Sequence, residues 1–394
     1  MVLFDDHLRD VFLPLVYTRP IAQLRIGIQT IAEKWGLYTG FQPSYHTVPY
    51  LAKKYPCTHP QTSIWINGRL IPDARYLQDL QDLKPGEGWR LGDNIIAFRP
   101  ASNHDYSGSL ENMHRSVSFT EPPFEASMLN AITDLFSMNH EAIASDFRAL
   151  TYGRMPNIPS STNIIIGDPS LVFIEEGATV EGAFLNTTGG PIYVGAGAEI
   201  MEASVVRGPV AICEHATLKA GSKIYGATTI GPWCKVGGEV SNSIFFAYTN
   251  KGHDGFVGNS VLGEWCNLGA DTNTSNLKNN YSKVKIWSYA QNGMVDTGLT
   301  FCGLIMGDHS KSGINTMFNT GTVTGVAANI FGGGFPDKFI PSFSWGGSDG
   351  FTTYDFDKAI ETAERVLARR NQQLSDEDVT ILRHIFIQSM EYKS

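Results

Sequence analysis

From Val194 to Val236 the chain places an aliphatic residue at every sixth position. Val194, Ile200, Val206, Ile212, Leu218, Ile224, Ile230 and Val236 share one register, and Ile174 and Val180 show the same interval earlier. Small and polar residues separate them, as in VGAGAE, IMEASV, VRGPVA and ICEHAT. A period of six matches neither an amphipathic helix nor simple strand alternation. It matches a coil of three short strands, each turning one aliphatic side chain inward. One coil cannot bury its apolar positions alone, so the pattern predicts stacking into a β-solenoid. The interval resumes at Phe256, Leu262 and Leu268. It breaks between Ser241 and Gly255, and an insertion in a solenoid is expected to emerge as a loop on one face. The stretch NKGHDGFVGNS spans the end of that break and carries His253 among glycines, a lysine and an aspartate.

Outside the repeat the pattern changes. Val2 to Phe4 reads as a short strand. Ile21, Leu24, Ile28, Ile31 and Trp35 fall at helical spacing behind Pro20, a good first-turn residue. SIWINGRLIPD, from Ser63 to Asp73, reads as strand and turn. This β–α–β order predicts an α/β domain of the nucleotide-binding, Rossmann-like type. NHEAIASDFRAL (Asn139 to Leu150) and FDKAIETAERVLARR predict helices, and Ser375 with Asp378 marks the start of a last one. The expected division is an α/β domain over 1–120, a helical linker over 121–160, a β-helix over 161–345 and C-terminal helices over 346–394.

Composition narrows the function. Hydrophobic content of 42% and charged content of 18% are those of a globular chain. A formal charge of −9 without a dense Lys/Arg run argues against nucleic acid as a partner. No window reaches the roughly 18 to 20 apolar residues that span a bilayer, so no membrane partner is expected. The start, MVLFDDHLRD, lacks the basic-then-apolar order of a signal peptide. The five cysteines form no C-x-x-C pair, which fits buried thiols in a reducing compartment. A cytoplasmic location follows as the expectation, with small molecules as partners.

The hexapeptide signature resembles that of the left-handed parallel β-helix acyltransferases. The left hand, an exception to the usual right-handed crossover, is taken from that resemblance alone. HDGFVGNSVLGEWCNLGADTNTSN resembles the acetyltransferase domain of bifunctional UDP-N-acetylglucosamine pyrophosphorylase/glucosamine-1-phosphate N-acetyltransferases, with their H-x-x-Y-x-G, N-x-G-A-G-T and N-Y-D-G motifs. The resemblance implies acetyl transfer from acetyl-CoA to the amine of a sugar phosphate. His253 takes the place of the catalytic base, a role that a histidine pKa of about 6.5 suits. Phe256 takes the place of a tyrosine that contacts the sugar phosphate. Asn267 and Asn276 take those of the sugar-contacting asparagines, and Ala270 lies where the backbone nears the thioester. The chain departs from the pattern in places. Phe256 has no hydroxyl, N-Y-D-G is N-L-K-N at Asn276 to Asn279, and the family's lysine is nearest to Lys283, one position off. Phosphate contacts are then expected from Lys223, Lys251, Lys278 or Lys283. Asp254 is a candidate to orient the base. His309, inside a repeat, reads as structural. Enzymes of this resemblance are commonly trimers with sites between subunits, so a homotrimer is expected.

The N-terminal order resembles that of sugar nucleotidyltransferases. LFDD stands in place of their Gly-rich loop, and Thr18-Arg19-Pro20 in place of P-K-P. LPLVYTRPIAQLRIGIQTIAEKW looks like a divergent, Bacteroidetes-type subfamily of the bifunctional enzymes, and that resemblance covers nearly the whole chain. It implies attack of a sugar 1-phosphate on the α-phosphate of UTP. Such chemistry needs cations on the phosphates and Mg²⁺ held by carboxylates. Arg9, Arg19 and Arg25 are the candidates for the first, Asp5 and Asp6 for the second. The leading expectation is a two-domain enzyme of amino-sugar nucleotide synthesis. One alternative is a nucleotidyltransferase of other specificity, such as a glucose-1-phosphate thymidylyltransferase, with a purely structural solenoid. The other is a non-enzymatic scaffold that binds sugar nucleotides.

Overall fold

Stacking the hexads closes them into three parallel sheets. Val194 pairs with Ile212, Ile200 with Leu218 and Val206 with Ile224, so each residue meets its equivalent three hexads later. The next coil repeats this at Ile230, Val236 and Val240. All of these side chains are buried in one continuous core. This computed structural model describes residues 1–101 and 109–393 and divides into two units. The second unit is a parallel β-solenoid of about ten turns followed by C-terminal helices. It comprises Thr133–Ser394 with Leu13–Tyr17 and Arg25–Ile28; the first unit holds the remainder of the N-terminal region.

Two features of the solenoid differ from the sequence expectation. The stretch between Ser241 and Gly255 is a shortening, not an extruded loop. Val236 pairs with Lys251, fifteen residues on, where the two coils before it advance by eighteen. Two of the three residues are lost at Gly237 and Gly238, where Val240 follows Val236 by four positions instead of six, and the third before Phe245, which follows Val240 by five. Second, the inward residue of the strand Phe256–Gly258 is Val257, which pairs with Val240; Phe256 lies on the outer side, half-buried. The large insertion comes later. Leu262 pairs with Met306, and the intervening chain carries the antiparallel hairpin Lys285–Ser288 and Gly293–Asp296.

The C-terminal helices Phe356–Ala368 and Asp376–Ser389 form where the pattern puts them. Asp355 caps the first. Ser375 and Asp378 form a reciprocal capping box on the second, satisfying amides that would otherwise be orphaned. Asn139–Thr151 is helical as well.

The first unit is an α/β domain on a six-stranded mixed sheet. Val2–Phe4 runs parallel to Ser44–His46 on one side and to Trp65–Asn67 on the other. Trp65–Asn67 runs antiparallel to Asn94–Phe98. Val2, Phe4, Trp65, Phe98 and Met113 form its core. The helix expected from Ile21 to Trp35 is confined to Ile31–Thr39, with a short 3-10 turn at Ile21–Gln23. Gly27 interrupts it in a left-handed conformation (φ +70°). Thr30 then restarts the helix through a capping box with Glu33.

Candidate functional site

His253 sits at a corner of the shortened coil, between the strands Asn250–Lys251 and Phe256–Gly258. It is exposed and lines a cavity of about 720 Å³. Asn267 and Ala270 line the same cavity, so three residues singled out from the sequence converge there. Asn267 reaches it because its strand pairs with Asn250 below and Lys311 above. Tyr248 and Trp265 form one wall, their rings stacked 4.1 Å apart at 3°. Both occupy equivalent corners of successive coils at positive φ, where close stacking offsets a strained backbone.

The cavity is strongly cationic. Lys219, Lys235, Lys311, Arg369 and Arg370 line it, and no aspartate or glutamate does. Arg370 donates to Asn250 Oδ1 at 3.1 Å. Lys235 is held below the usual lysine range, first by the neighbouring Arg370 and then by burial, Lys219 and Arg369. Burial pushes Lys311 down to about 8. Its Nζ donates to the carbonyl of half-buried His309 at 2.7 Å, and His309 does not line the cavity. Sequence reasoning missed this cation cluster. Lys219 and Lys235 come together only through coil stacking, and Arg369 and Arg370 arrive from the end of a C-terminal helix. The RR pair after FDKAIETAERVLA was the only local signal.

The remaining candidates lie elsewhere on the solenoid. Phe256 and Asn276 both crowd the place a side chain on Gly258 would take: a Cβ there would meet Phe256 Cζ at 2.5 Å and Asn276 Nδ2 at 2.6 Å. Asn276 Nδ2 donates to Asn259 Oδ1 at 2.9 Å. Lys223 shares the outer column of Phe256, reached through Glu239. Lys283 lines a second cavity of about 520 Å³ with Asn242 and Asn259. Lys278 donates to the Lys283 carbonyl at 2.7 Å. His253 thus stands at the junction of two faces, with the cationic cavity on one side and the Phe256 strand on the other. Lys251 faces neither. Its side chain is 1% exposed and points into the core, so the expectation that it contacts phosphate is corrected.

In the first unit, Asp5 and Asp6 follow the carboxyl end of the strand Val2–Phe4, the end at which α/β sheets bind ligands. Their oxygens are already occupied. Asp5 accepts from the Ile21 amide at 2.8 Å and from Thr47 Oγ1, and pairs with Arg9 at 3.2 Å. Burial pushes its carboxyl upward while Arg9 pulls against it. Asp6 accepts from the Leu8 amide and Asn67 Nδ2, and forms a two-pronged pair with Arg69, whose Nη2 lies 2.6 Å away. Arg69 is fully buried and also donates to Leu129 O, Asn130 Oδ1 and Asn94 Oδ1. These carboxylates do not fit a divalent cation, which needs oxygens free to ligate. Among the described residues no group of three or more His, Cys, Asp or Glu side chains could hold a metal. Arg9, Arg19 and Arg25 are all buried, and Arg25 belongs to the second unit, where it donates to the Ile28 carbonyl.

Residues 1–155 match the sugar nucleotidyl transferase family, which places a transferase domain at this end of the chain. No curated protein matches the sequence. Among solved structures, the chain is similar to the polysialic-acid-specific acetyltransferase NeuO at 13% identity, over 53% of this chain and 94% of that one, with a TM-score of 0.29. A UDP-N-acetylglucosamine acyltransferase from Campylobacter jejuni aligns at 11% identity, over 57% and 95%, with a TM-score of 0.23. The polysialic acid O-acetyltransferase OatWY aligns at 12%, over 50% and 86%, with a TM-score of 0.21. None of these superpositions is close enough to transfer a residue role. No helix among the described residues is long and apolar enough to cross a membrane.

Proposed function

We propose that the solenoid transfers an acetyl group from acetyl-CoA to the amine of glucosamine 1-phosphate, with His253 as general base. The observation that carries this reading is the cavity itself. In a chain of net charge −9, the space beside His253 is lined by five cations and no acid. Such a surface suits a phosphate-rich donor. Stacked Tyr248 and Trp265 add a flat apolar wall. The amine nitrogen attacks the thioester carbonyl, and His253 takes the proton that the nitrogen sheds. The C–N bond forms as the C–S bond breaks, and the thiolate leaves as CoA. The acceptor then lies on the Phe256 side of the corner, with Asn276 and Lys223 as candidate contacts. A homotrimer would complete the site from neighbouring copies.

The N-terminal unit is read as coupling the acetylated sugar 1-phosphate to UTP. The saturated Asp5 and Asp6 favour a second reading for this unit alone: it binds a sugar nucleotide without transferring it. Pyrophosphate release from UTP with N-acetylglucosamine 1-phosphate decides between them. For the solenoid, the test is thiol release from acetyl-CoA with glucosamine 1-phosphate, in wild type and His253→Ala. Turnover that the variant loses while remaining folded supports the reading. No wild-type turnover overturns it, and an unchanged variant removes His253 as the base.

A further inference from the structure

We propose that Lys251 is a positioning residue that fixes the corner carrying His253, an inference that rests on the reading of His253 as the base. The column into which Lys251 points runs Ile200, Leu218, Val236, Lys251, Leu268, Ser312 and Ile330. Its neighbours on either side, Val236 and Leu268, are aliphatic and buried. Lys251 alone places a charge in this column. Among the described residues its ammonium is in no salt bridge; instead Nζ donates to the Gly237 carbonyl at 2.8 Å and to the His253 carbonyl at 2.9 Å. A buried ammonium is costly, and a methionine of similar length would fill the same space without that cost. Packing alone therefore does not account for lysine here.

The surroundings are shaped to admit it. The coil is shortened at Gly237 and Gly238, next to the ammonium. Gly238 is left-handed (φ +69°), and a Cβ on it would lie 2.8 Å from Lys251 Nζ and 2.9 Å from Asp254 Cα. Three successive carbonyls of the corner are tied to three different partners. Lys251 holds that of His253, the Asp271 amide that of Asp254, and the Glu239 amide that of Gly255. The two amide ties belong to the neighbouring coils and need no special residue. The tie at His253 exists only because a long cationic side chain reaches it from within. Lys251 thus fixes the backbone from which the His253 ring projects into the cavity, without touching substrate.

The experiment uses the full chain as wild type, Lys251→Met and Lys251→Arg, each confirmed folded by circular dichroism. Thiol release gives kcat and KM, and amide hydrogen exchange reports on the corner. Lys251→Met is expected to lower kcat by about 10- to 100-fold, the scale of a misplaced catalytic group. KM for acetyl-CoA stays within about twofold, because the cations that line the cavity are untouched. Exchange at Asp254 to Phe256 accelerates while the Ile212–Ile230 coils stay protected. Lys251→Arg, which keeps donors for both carbonyls, recovers part of kcat. An unchanged kcat in folded Lys251→Met overturns the proposal, as does a fall in kcat with unaltered exchange at the corner. If wild type shows no acetyl transfer, the functional reading fails separately. Exchange then decides the corner by itself: faster exchange in Lys251→Met supports the tie, and unchanged exchange overturns it.

Discussion

Replacing Lys251 with methionine also changes how stability depends on pH. Burial pushes this ammonium from 10.5 down to about 8, while Asp254, Asp271 and Glu239 pull it partly back. In the unfolded chain it returns to the ordinary value. Between these two limits the unfolded chain binds a proton that the folded chain does not, so stability rises with pH across the window. The contribution is complete above the unfolded value and is lost as pH falls through the folded one. At 1.36 kcal/mol per tenfold change in proton affinity, the gap amounts to about 3 kcal/mol. Methionine has no proton to bind. The stability of wild type relative to Lys251→Met should therefore rise by about 3 kcal/mol between pH 7 and pH 10.5. At pH 7 the variant escapes the cost of the buried charge but loses two charged hydrogen bonds of about 1.5–3 kcal/mol each, effects of similar size, so the change with pH and not the value at pH 7 is the readout. The assay is urea unfolding at stepped pH, followed by tryptophan fluorescence, with Trp233 and Trp265, one on each side of Tyr248, as reporters. Lys311 and Lys393 are also pushed down to about 8 by burial, but they are common to both proteins and cancel in the difference. A difference that stays flat from pH 7 to pH 10 would refute the reasoning.

Three further outcomes are expected. Arg369→Gln with Arg370→Gln should raise KM for acetyl-CoA about tenfold or more, since charged hydrogen bonds are each worth about 1.5–3 kcal/mol, and should leave kcat nearly unchanged; steady-state kinetics at two salt concentrations check this. Gly238→Ala forces a side chain into the left-handed region at a cost of about 1–2 kcal/mol and pushes on Lys251 and Asp254, so kcat and thermal stability should fall together. Arg69→Leu leaves Asp6 buried without its partner and should destabilise the N-terminal unit by about 3–5 kcal/mol, with partial recovery on adding Asp6→Asn, as measured by denaturant unfolding.

The parts of this protein that could be read from its sequence are those in which local pattern and final environment agree. Eight aliphatic residues at a fixed interval could hardly be anything but stacked coils, and all eight are buried. The capping box at Ser375 was equally plain, because its chemistry is contained within four residues. Counting by six fails where the coil shortens. Two glycines remove slack after Val236, and Val257 stands five residues before Leu262, so counting back by six lands on Phe256 instead. Lys251 was hidden for the opposite reason. A lysine beside a histidine reads as a surface ligand for phosphate, and only the pairing with Val236 shows it turned inward. Asp5 and Asp6 look like metal ligands in one dimension because their donors come from Ile21, Thr47 and Arg69, far along the chain. A sequence departs from its own structural rules where something other than stability is being satisfied. In the solenoid those departures coincide: the shortened coil, the paired glycines, the charge in the aliphatic column and the exposed histidine all meet at one corner. Any one of them alone is tolerable as a structural accident. Together they form a single device, in which the missing residues make room for the lysine and the lysine holds the histidine at the edge of the cationic cavity.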